Sequence, residues 1–80
     1  MNKDIELFVR LKYQIAAGED DFWKLKDSYP RDALQAAQAR WNESKFDHNY
    51  EMSMVSKWEF YINFVFEELC KWEENRVNIR

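Results

Sequence analysis

Glycine, proline, cysteine and histidine each occur once in this chain of 80 residues. One glycine and one proline leave little turn chemistry for tight hairpins, and β-branched residues are sparse, which excludes a strand-rich fold. A lone cysteine, Cys70, has no partner for an internal disulfide. Any imidazole-based acid–base or nucleophilic site would have to be built on His48, which reads instead as a polar turn residue between Asp47 and Asn49. Metal-ligand spacings are missing, and Gly18 alone cannot form a phosphate loop. No enzyme and no cofactor is expected.

Other absences bear on setting and partners. No apolar run approaches the roughly 18 residues of a membrane span. The opening MNKDIELFVRLK carries acids and lacks an uninterrupted apolar core, so it does not read as a signal peptide. Without disulfides or targeting segments, a cytoplasmic protein is expected. Twelve basic and 15 acidic residues, net charge −3, are mixed along the chain. Direct nucleic-acid binding would need a basic stripe that this mixture does not suggest.

What the chain has is aromatic surface: four Trp, six Phe and four Tyr, each able to bury ~150–250 Å². The richest stretch is 51–76. Val55, Trp58, Ile62, Val65, Leu69 and Trp72 recur at alternating spacings of three and four, which keeps them on one side of an α-helix. Met54, Tyr61, Phe66 and Cys70 fall beside that stripe, where Cys70 reads as a buried structural thiol. Glu59, Asn63, Glu67 and Glu74 lie opposite, with Glu67 and Lys71 as an i, i+4 pair. The adjacent acids Glu67-Glu68 and Glu73-Glu74 diverge around the helix and read as a solvated face.

Upstream, Asn2 or Asp4 can cap a first helix with an apolar stripe of Ile5, Phe8, Leu11 and Ile15, ended after Ala17 by Gly18 at C′. Glu19, Asp20 and Asp21 open a short second helix as a favourable N-terminus; being consecutive, they do not make a metal site. Ser28-Tyr29-Pro30 is a boundary. A third helix carries Leu34, Ala37 and Trp41 on a narrow stripe, and a turn or sharp kink is expected near 46–50. The expected fold is all-α: one domain over 1–80, a small bundle of three to four helices at about 4–17, 20–28, 31–46 and 50–76, with a frayed tail.

Two features suggest partners. Phe60 and Phe64 project from the polar back of the last helix near Lys57 and Lys71. Either another helix of the chain covers them, or these four residues contact a second molecule. The last helix, at about 39 Å, also exceeds the roughly 30 Å width of a compact domain of this size. A homo-oligomer, a dimer, would explain that, with Trp41, Tyr50 and Tyr61 as the self-interface. Trp58 and Trp72 fit the core, whereas Trp23 and Trp41 are freer to act as hot spots. The expected function is a small non-enzymatic protein-binding module, an inhibitor or regulator of a larger protein, of the kind phages and mobile elements direct at host machinery. The alternative is an acidic nucleic-acid mimic, in which Asp4, Glu6, Glu19, Asp20, Asp21, Glu67, Glu68, Glu73 and Glu74 form a negative track.

Overall fold

The computed structural model describes residues 3–13, 15 and 18–78. Among them there is no strand. Four α-helices follow in order: α1 (Lys3–Tyr13), α2 (Glu19–Leu25), α3 (Arg31–Ser44) and α4 (Met54–Asn78), with 3₁₀ turns at Lys26–Ser28 and Phe46–His48. The chain is an all-α bundle in which α1 and α3 pack on the aromatic-rich α4. With 25 residues, α4 is about 37 Å long and gives the molecule its 45 × 24 × 23 Å outline.

The joints follow from local chemistry. Tyr29 is extended, with φ −89° and ψ 149°, as a residue before proline tends to be. Pro30 then caps α3, and its carbonyl accepts the Leu34 N–H. Between α3 and α4 no glycine or proline is present, and Lys45 takes the left-handed conformation, φ 61°. The Ser44 hydroxyl donates to the Trp41 carbonyl and accepts the Phe46 N–H, holding that exit in place. The Asn49 side-chain oxygen accepts the Glu51 N–H, and the Ser53 hydroxyl accepts the Ser56 N–H to cap α4.

The core lies along the C-terminal half of α4. Val65, Phe66, Leu69 and Cys70 are buried there with Val9 and Tyr13 of α1, Ile15, Phe22 of α2, Tyr29, and Ala33 and Ala37 of α3. The small side chains of Ala33 and Ala37 let α3 approach α4 closely.

Several expectations are corrected. The buried stripe of α1 is Val9 and Tyr13 with Ile5 packed against the core, whereas Phe8 and Leu11 are exposed. This rotation brings the Tyr13 hydroxyl to a buried acceptor on α4. Gly18 has a positive φ, 124°, but uses it as the N-cap of α2. The proposed cap Asn2 and the expected helix end at Ala17 lie outside the described residues. Val55, assigned to the main stripe, is 67% exposed. Glu73, assigned to a solvated face, is fully buried. Glu67 pairs with Arg40, and Lys71 with Glu68.

Candidate functional site: an aromatic groove at the open end of α4

The N-terminal turns of α4 reach an end of the bundle that α2 and α3 flank without covering. A groove of about 590 Å³ opens there. Glu19 and Trp23 form the α2 wall, Gln38 and Trp41 the α3 wall, and Lys57, Trp58 and Tyr61 the α4 wall. Met54 and Val55 complete the lining from the first turn of α4, and Met54 is 78% exposed.

The walls are braced ring against ring. Phe22, buried behind them, meets Trp58 edge-on at 5.4 Å and Tyr61 at 6.1 Å between centroids. Trp58 lies 5.9 Å from Tyr61 and 6.5 Å from Trp23, and Trp41 meets Tyr61 at 6.0 Å. Such tilted and T-shaped pairs fix ring orientation beyond what simple burial would. The Trp23 indole N–H donates to Glu19 Oε1 at 3.4 Å, and Gln38 donates to Asn42 at 3.1 Å. Burial pushes the Tyr61 phenol above its ordinary range, so it stays a neutral wall residue.

A polar cluster closes the other end of α4. Glu73 Oε1 accepts the Tyr13 hydroxyl at 2.9 Å and Lys12 Nζ at 3.1 Å, and Oε2 accepts Arg76 Nη2 at 2.8 Å. Burial alone would raise the Glu73 carboxyl, but the hydrogen bonds from Arg76, Tyr13 and Lys12 outweigh it and hold the group below its ordinary range. The Tyr29 hydroxyl donates to the Tyr13 carbonyl at 2.7 Å, which satisfies a helix-end acceptor of α1. With its partners complete, this cluster is a structural tie between α1 and α4. Nearby Cys70 is buried, and that burial, reinforced by Glu6, pushes its thiol up to about 11. A thiol so disposed is a packing residue. Among the described residues no group of acids, cysteines or histidines is placed to hold a metal ion, and no helix is long and apolar enough to cross a membrane.

The residues singled out in the sequence divide between two surfaces. Trp41, Tyr61 and Lys57 come together in the groove, although they were assigned to different partners. Phe60 and Phe64 lie on another flank under Phe46, at 4.5 and 6.2 Å, and the Arg40 guanidinium sits over Phe64 at 4.6 Å. Another part of the same chain therefore covers them in part, leaving Phe60 41% exposed. Lys71 is exposed beside Glu68, and Tyr50 projects from the loop before α4. Trp58 and Met54 are groove residues that periodicity alone assigned to the core side. The usable signal was length, since a helix that outruns its neighbours leaves its first turns uncovered.

No known protein family, curated protein or solved structure matches this chain. The groove therefore has to be read from its own chemistry. It offers apolar ring surface, one acid and one base, an arrangement suited to holding side chains.

Proposed function

We propose that the chain is a non-enzymatic protein-binding module that seats apolar side chains of another polypeptide in the groove at the N-terminal end of α4. The observation that supports this is the coincidence of a braced aromatic wall with exposed Met54 and Val55 at its edge. Contiguous apolar surface of this kind is costly to leave in water, and aromatic side chains dominate interface energetics. An inhibitory or regulatory role in the cytoplasm belongs to this reading, in which the groove acts by occupying a surface of its target. The flank carrying Phe60, Phe64 and Lys71 is a secondary contact, since Phe46 and Arg40 already take up much of its apolar area. An acidic track is less well supported: Arg40 binds Glu67 and Glu68, and Glu73 is withdrawn from the surface.

Selection of random peptides on the immobilised protein tests this reading. Enriched peptides are expected to carry aromatic or aliphatic anchors and to lose binding to a Met54→Glu/Val55→Glu variant. Both positions are exposed, so the variant keeps its fold. Peptides that bind that variant as well as the unaltered protein would refute the reading.

A further inference from the structure

We infer that the α2 wall of the groove receives an arginine side chain of the partner polypeptide, with its guanidinium laid on the Trp23 ring and its N–H groups turned to the Glu19 carboxylate. This rests on reading the groove as a protein-binding site and names the chemistry of what it binds: a segment with an arginine beside its apolar anchors.

The walls differ in what they offer. Met54 and Val55 at the α4 edge present apolar surface, whereas α2 presents Trp23, 48% exposed, with Glu19 one turn before it. A spacing of four residues puts both side chains on one face of the helix. The Trp23 indole N–H, donating to Glu19 Oε1 at 3.4 Å, holds the carboxylate at the edge of the ring. The ring face and the carboxylate are both negative, so a cation is their complement. A guanidinium suits the pair better than an ammonium, because it is planar enough to stack and presents its donors as a fork.

The molecule uses the same arrangement within its own fold. Phe64 and Glu68 are also four residues apart, on α4. Arg40 of α3 sets its guanidinium 4.6 Å above the Phe64 ring while it bonds Glu68 at 3.3 Å and Glu67 at 2.6 Å. Arg76 repeats the pattern over Trp72 at 5.9 Å and against Glu73 at 2.8 Å. Those two sites are filled from within the chain, whereas Glu19 and Trp23 face the groove. Lys26 Nζ stands 5.9 Å from the Trp23 ring, near the roughly 6 Å limit of such contacts, and Lys26 does not line the groove. Lys57, the base on the α4 wall, is already engaged. A volume of about 590 Å³ suits a few inserted side chains of this kind.

Peptides selected on the immobilised protein provide the test. They are expected to carry an arginine beside the aromatic or aliphatic anchor. Replacing that arginine by citrulline, which keeps the shape and loses the charge, is expected to weaken binding about tenfold. In Glu19→Gln, which can still accept the Trp23 N–H, the arginine-to-citrulline ratio is expected to fall to about threefold. Glu59→Gln, outside the groove, is expected to leave the ratio unaltered. Three results would overturn the arginine site and leave the groove an apolar one: peptides that need Met54 and Val55 but carry no arginine, citrulline peptides that bind equally well, or a ratio that Glu19→Gln does not change. Peptide affinity that falls as the protein concentration rises would give the groove to a second copy and overturn the proposal. Peptides indifferent to Met54 and Val55 would remove the protein-binding reading and this inference with it.

Discussion

The two halves of α4 are both apolar along one side and have opposite fates. Towards the C-terminus, Val65, Leu69 and Cys70 are sealed between α1 and α3, and Glu73 ties the far end through Tyr13, Lys12 and Arg76. Towards the N-terminus, Met54, Val55 and Trp58 have α2 and the end of α3 for neighbours and border an open groove. Both halves carry large apolar side chains at helical spacing. Periodicity shows which side of a helix is apolar; the lengths and positions of the neighbouring helices decide how much of that side is covered. One half therefore holds the fold together, and the other borders an open groove.

The largest expected contrast is in stability. Leu69→Ala should lower the unfolding free energy by about 2–5 kcal/mol, since it leaves a cavity in the sealed half. Val55→Ala should change it by no more than about 0.5 kcal/mol. Urea unfolding of the two variants measures this, and comparable losses would erase the distinction between the halves. Glu73→Gln should cost less, about 1–3 kcal/mol at neutral pH, because Lys12 and Arg76 keep access to water and recover solvation.

The pH dependence of that contribution has a fixed sign. The folded Glu73 carboxyl lies below its ordinary 4.5, so its contribution is fully present above that value and is lost as pH falls through the folded value. The stability gap between the unaltered protein and Glu73→Gln should therefore narrow below about pH 4.5. A gap that widened in acid would contradict the assignment of Glu73 as a buried carboxylate. The smallest effect is kinetic. Cys70, with its thiol at about 11, should be alkylated far more slowly in the folded protein than in urea. The residual rate should report opening of the sealed half. Equal rates would show that α1 and α3 do not close over it.

Much of the fold was legible in the sequence because it depends on local rules. The break at Pro30, the helical spacing of α4 and the scarcity of turn residues all point to an all-α bundle. Other features depend on tertiary partners. The inward face of α1 turns on a hydrogen bond from Tyr13 to Glu73, some 60 positions away. The exit from α3 uses Lys45 in a left-handed conformation that costs an L-residue about 1–2 kcal/mol, which composition does not announce. The candidate site was legible only in pieces. Trp41 and Tyr61 were assigned to a self-interface and Lys57 to a partner contact, and the structure sets all three in one groove with Trp23 and Glu19 of α2.

Fluorine NMR of protein labelled with 5-fluorotryptophan compares the two halves in a single experiment, because Trp23, Trp41 and Trp58 line the groove while Trp72 lies near the tied end. On addition of a peptide selected on the immobilised protein, the three groove resonances should shift together along one binding curve while that of Trp72 stays in place. Three stationary groove signals, or a Trp72 signal that moves with them, would contradict the account.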